Sequence, residues 1–233
     1  MKTVIKLFVY ICVLLLSAAT MAQEAGVKPQ GSSPIPVELF FGNNRVATQV
    51  TVSRKFRESS RFGVFASTLT AGDYKNILNE KNQIDKQQND SESMNSLYLT
   101  YDVYKGLGLI SGAGLNSSWG FRPFAGAQYG YRNKAFSINM SSGFYLTQSK
   151  NSETKVAVQF RPHLKGNWSL FTGVQALYNQ NMNTNKHDRS AVYGRLGVNC
   201  KSIGFGLATN LDWYGPLEVL KENYGLFISY AFK

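Results

Sequence analysis

The chain has 233 residues, with 25 Lys or Arg against 14 Asp or Glu and a formal net charge of +11. Only 17% of residues are charged, 13% are aromatic and 21 are Gly, which excludes a disordered polyelectrolyte and suits one folded, strand-rich domain. Basic character invites nucleic acid as a partner, but no recognition motif accompanies it, so none is assigned.

Residues 1–22, "MKTVIKLFVYICVLLLSAATMA", begin with Lys2 and Lys6, continue in an apolar run from Leu7 to Leu16 and end in small residues before a cut after Ala22. This is the pattern of a secretory signal peptide, and the run is too short for the roughly 20 residues of a spanning helix. Its removal takes two lysines and no acid, lowering the net charge from +11 to +9. Cys12 goes with it and Cys200 is left alone, which excludes an internal disulfide and a cysteine metal cluster. No later apolar run is long enough to span as a helix, so entry into a membrane has to be by strands.

Residues 23–34 lack periodicity and read as a periplasmic lead-in. Alternation of apolar and polar residues begins at Ile35. It predicts strands near 36–43, 45–55, 61–71, 94–104, 107–117, 121–132, 134–147, 154–164, 167–178, 190–200, 203–213 and 223–233. Phe136, Ile138, Met140 and Phe144, for instance, alternate with Ser137, Asn139, Ser141 and Gly143. A soluble β-sandwich permits the same local pattern. The connections separate the two. Those around "RESS", "KG", "RNK", "KGN" and "KS" are tight, whereas 72–93, 148–153, 179–189 and 214–222 are long and fall on the opposite rim. Short turns on one side and long loops on the other indicate an all-β, up-and-down antiparallel transmembrane β-barrel over residues 35–233. The expected count is about twelve strands, or ten if "GNNR" is a bulge.

The segment "NYGLFISYAFK", 223–233, has Tyr224, Leu226, Ile228, Tyr230 and Phe232 on one face, as a lipid-facing closing strand requires. It resembles the C-terminal assembly signal of outer-membrane barrels: Asn223, Gly225, Ile228 and Tyr230 fill the motif, with Phe232 next to last and Lys233 in place of a terminal aromatic. That resemblance implies delivery by a barrel-assembly machinery. The stretches "VELFFGNNRVATQVTVSRKF", "HDRSAVYGRLG" and "DWYGP" resemble uncharacterised single-chain outer-membrane barrels of the Bacteroidota. The resemblance implies a Gram-negative outer-membrane location in contact with lipid, and carries no catalytic residue onto this chain.

The predicted inward face holds Arg122, Arg132, Lys155, Arg161, Arg195 and Lys201, inside or at the rim, against Glu38, Asp102 and Asp212. Such a basic lumen fits a narrow, porin-like passage for small and preferentially anionic solutes. It fits equally a packed lumen in which these charges pair with the acids and with Gln49, Gln128, Gln159, Gln175 and Asn210. The turns carry Arg54, Lys55, Arg57, Arg61, Lys105, Lys134 and Lys165, a rim that suits anionic headgroups or solvent. The loop 72–93, with five acids and three lysines, is the surface for an extracellular partner. A rim hydrolase would draw on His187, Asp188, Ser190 and Asp212, with His163 at the far rim. Neighbours in a strand are expected on opposite faces, however, so no catalytic set converges. No cofactor or metal site is expected from two distant histidines.

Overall fold

The structure, a computed structural model, describes residues 34–74 and 91–232. The predicted signal segment, nearly all of the lead-in, most of the loop 72–93 and Lys233 lie outside the described residues. Twelve strands follow in order: β1 (Ile35–Gly42), β2 (Arg45–Lys55), β3 (Phe62–Asp73), β4 (Glu92–Tyr104), β5 (Leu107–Asn116), β6 (Gly120–Arg132), β7 (Phe136–Tyr145), β8 (Asn151–Phe160), β9 (Trp168–Asn181), β10 (Lys186–Cys200), β11 (Ile203–Tyr214) and β12 (Val219–Phe232). Each pairs antiparallel with its chain neighbours, and β1 pairs with β12 to close an up-and-down barrel.

Period-two patterning sorts the side chains. Leu97, Leu99, Leu107, Leu109, Phe144, Leu207, Leu226 and Ile228 point outward and are exposed, with Leu97 at 60% and Phe121 at 68%. A band of that extent far exceeds the few hundred Å² of contiguous apolar surface that soluble monomers expose. Hydrocarbon is the solvent it fits, and closure leaves no strand edge unpaired there. Inward positions carry Gly, Ser, polar residues and two aromatic clusters. Phe40, Phe171 and Phe227 form one with Ala47, Ala71 and Ala208. Tyr98, Ile110, Phe124 and Tyr145 form the other, with Phe65 and Trp119 against it.

The turns follow their residues. Lys105 and Gly106 both have positive φ, 43° and 88°, as a two-residue type I′ hairpin requires. The "GNNR" segment is a true turn, since β2 folds back antiparallel on β1 from Phe41↔Val46 to Val37↔Val50; Asn43 also bonds β12, its N–H donating to the Tyr224 carbonyl and its Oδ1 accepting from the Tyr224 N–H, both at 2.8 Å. That resolves the count to twelve. The seam where β12 meets β1 and the start of β2 uses Asn223 and Gly225. Buried Asn223 accepts from the N–H groups of Asn44 and Arg45 at 3.0 and 3.2 Å and donates to the Arg45 carbonyl at 3.1 Å. At Gly225 a Cβ would fall 1.9 Å from the Phe41 carbonyl oxygen, so only glycine lets the seam close.

Several expected boundaries are corrected. β7 and β8, expected at 134–147 and 154–164, are Phe136–Tyr145 and Asn151–Phe160. The expected loops 148–153, 179–189 and 214–222 shrink because β8, β9, β10 and β12 run further toward the outer rim. Their polar residues made them look like loop, but in the barrel those side chains face inward and bond one another, so the ladder continues past them.

Candidate functional site

The lumen is the candidate site, and its two halves differ. In the outer half, Arg189 of β10 binds Asp212 of β11 at 2.7 Å and Glu92 of β4. β4 and β10 are six places apart in a ring of twelve, so the Arg189–Glu92 pair crosses the full width of the lumen. Tyr214 donates to the other oxygen of Glu92 at 2.7 Å, and Tyr193 donates to Asp212 at 2.8 Å. A second network joins β7 to β10. Glu153 binds Lys155 at 2.8 Å and accepts from Tyr145 at 3.1 Å and Asn179 at 3.0 Å. Asn151 donates to Asn179 and Asp188, both at 2.8 Å. Arg45 binds Asp73 at 2.8 Å. Among these struts lies a cavity of about 220 Å³, lined by Glu92, Asn116, Trp119, Glu153, Asp188 and Tyr214.

Midway, Arg195 binds Glu38 at 2.8 Å and donates to Asn210 at 2.8 Å, with its guanidinium 5.0 Å from the Phe40 ring centre. Gln49 of β2 donates to Gln175 of β9 across the lumen at 3.1 Å. Toward the short-turn rim the filling thins. Lys55 and Asp102 pair at 2.7 Å with side chains 51% and 27% exposed, whereas Arg189 and Asp212 are at 10% and 4%. Ser53, Arg132, Asn139 and Arg161 are exposed there as well. Lys55, Arg132 and Arg161 against Asp102 make this wet half net positive.

The nine lumen and rim residues read from sequence fall at different depths and do not form one ring. Asp102 is paired in the wet half, Glu38 and Arg195 in the middle, and Lys155 and Asp212 in the outer networks. Arg122 lies 4.2 Å over the Trp119 ring near the outer rim. Arg161 lies beyond the end of β8, 4.6 Å over Phe171. Lys201 is in the exposed turn between β10 and β11.

The struts Arg189, Glu92, Glu153, Tyr193 and Tyr214 were missed, because the stretches holding Arg189 and Glu153 read as loop. The alternation Arg189, Ala191, Tyr193, Arg195 was the available signal. Among the hydrolase candidates, Asp188 and Asp212 face the lumen, and His163 forms only an isolated bridge with Ser169 near the far rim. His187 and Ser190, not expected to converge, are in contact at 3.1 Å. Among the described residues, no group of His, Cys, Asp or Glu is arranged to hold a metal ion.

No protein-family model matches the chain, and no curated protein matches it. Solved structures similar in fold are porins and their like. The KdgM porin has 12% identity and a TM-score of 0.45 over 85% of this chain and 99% of its own. The NanC porin has 11% identity and a TM-score of 0.47 over 85% and 99%. OccK1 of Pseudomonas aeruginosa has 12% identity and a TM-score of 0.37 over 76% and 65%.

Proposed function

We propose that the protein is a bacterial outer-membrane barrel, delivered after removal of residues 1–22 and inserted through its 223–233 signal in a Bacteroidota-like cell, which passes small solutes through a narrow lumen. The observation that carries this reading is the gradient inside the barrel. A wet, basic half on the short-turn side gives way to an outer half closed by side chains alone, with no backbone plug among the described residues. Side chains held by hydrogen bonds exchange rotamers and partners far more readily than a folded plug leaves a barrel. The net positive wet half favours anions at its mouth. The passage itself is passive and needs neither cofactor nor catalytic group.

Liposome swelling with solutes graded by size and charge tests this. Entry of small anions ahead of cations and neutral molecules of equal size is expected, with exclusion of larger solutes. Absence of swelling from protein shown to be folded and inserted would overturn it. The filled outer half also favours a second reading, a closed barrel acting through its outer loops. In that case trimming residues 76–90, short of Glu92 in β4, removes partner binding and no variant passes solute.

A further inference from the structure

One pair of reactive side chains lies outside the lumen, on the outward face of β10 near the outer rim. His187 Nε2 is 3.1 Å from Ser190 Oγ, and His187 Nδ1 is 2.7 Å from the Gly215 carbonyl oxygen. A β-bulge produces this contact. The register of β10 on β9 shifts between His187 and Arg189, so that His187 pairs with Gln180 and Arg189 with Asn179. The extra residue, Asp188, turns to Asn151 in the lumen. His187 is thereby carried to the face that Ser190 occupies, the re-aiming that bulges perform. The Gly215 N–H donates to the Asp188 carbonyl at 2.8 Å, so the turn after β11 holds the bulge by its backbone while its own carbonyl holds the imidazole.

A carbonyl oxygen only accepts, so Nδ1 carries the ring proton. In the neutral ring Nε2 then presents its lone pair to Ser190, whose hydroxyl donates to it. A hydroxyl within reach of a base, with the ring fixed in one tautomer through its far nitrogen, is what an activated serine needs. His187 is 8% exposed, which holds the ring in place, while Ser190 is half-buried and reachable. Across the ladder Ser190 is flanked by Tyr178 of β9 and Trp213 of β11, both outward. Such amphipathic rings settle at the boundary between headgroups and hydrocarbon. That is the depth at which the ester bonds of acyl lipids lie.

We propose that Ser190, activated by His187, is a nucleophile that takes an acyl group from ester lipids of the outer leaflet. Oγ forms a bond to the ester carbonyl carbon as its proton passes to Nε2. The C–O bond to the lipid alcohol breaks, the alkoxide leaves with the electron pair, and it takes that proton. Water, deprotonated by the same ring, then attacks acyl-Ser190, releasing the carboxylic acid and restoring the hydroxyl. Water is the only co-reactant. The inference does not rest on the lumen being open.

The test uses the full chain folded in detergent micelles, a fluorophosphonate probe with the labelled peptide mapped by mass spectrometry, and p-nitrophenyl esters of medium chain length. Labelling at Ser190 and steady nitrophenol release are expected. Ser190→Ala should remove both, and His187→Gln should slow them by about 100-fold, the low end of general-base contributions. A shift in migration between unboiled and boiled samples on gels establishes that each variant is folded. A folded wild-type barrel unlabelled at Ser190, or ester turnover undiminished in folded Ser190→Ala, overturns the proposal.

Discussion

Asn223 makes three hydrogen bonds to the backbone of Asn44 and Arg45 from a buried position, so one side chain holds the outer end of the seam. Asn223→Ala leaves those groups unpartnered and should lower stability by about 3 kcal/mol, taking roughly 1 kcal/mol for each bond. Urea-dependent unfolding in lipid vesicles reads that loss. Asn223 and Gly225 stood out in the sequence through their likeness to an assembly motif, a pattern that says nothing of their contacts to Arg45 of β2 and Phe41 of β1. The Arg195–Glu38 pair was legible in part, since both fall on the predicted inward face. Arg189 was not, because "NQNMNTNKHDR" has the composition of a loop and only the inward network explains why it is strand.

At the scale of the element, β10 departs most from its sequence reading. Its outer end begins at Lys186 rather than near 190, and its bulge sets which of His187 and Asp188 faces lipid. A bulge adds one residue without changing composition, and the sequence reading left His187 in a loop ahead of the strand, so nothing in it placed His187 on the face of Ser190. Inserting one residue between Asn179 and Gln180 should give Asp188 a partner on β9, restore strict alternation, turn His187 into the lumen and abolish probe labelling at Ser190. The gel shift of the folded barrel should persist. Labelling that survives the insertion in a folded barrel would show that the bulge does not assemble the pair. Most other strands were legible to within a few residues, because their outward faces are strongly apolar and their tight turns carry sequence signals such as Lys105–Gly106.

For the whole molecule, the alternation of tight and long connections was enough to indicate a closed barrel, since in hydrocarbon few alternatives satisfy the backbone. The division of the lumen into a wet basic half and a closed outer half was not legible. It depends on which strands face each other across the ring, and β4 opposite β10 cannot be read from local pattern. The exposed cations of the wet half set the charge preference in this account. Lys55→Gln with Arg161→Gln should therefore shift the reversal potential under a salt gradient toward zero without reducing the amount of inserted protein.

The most direct measurement is single-channel current from the refolded barrel in a planar bilayer, wild type beside the double variant Glu92→Ala and Arg189→Ala. Removing both partners takes out the strut that crosses the lumen; Asp212 loses its Arg189 partner and keeps the Tyr193 hydroxyl, so the gel shift is used to establish that the variant is folded. The account predicts small discrete steps from the wild type, with an anion-selective reversal potential, and larger steps from the variant. Silence from both, with insertion demonstrated, would contradict it and leave the outer loops as the working surface of the molecule.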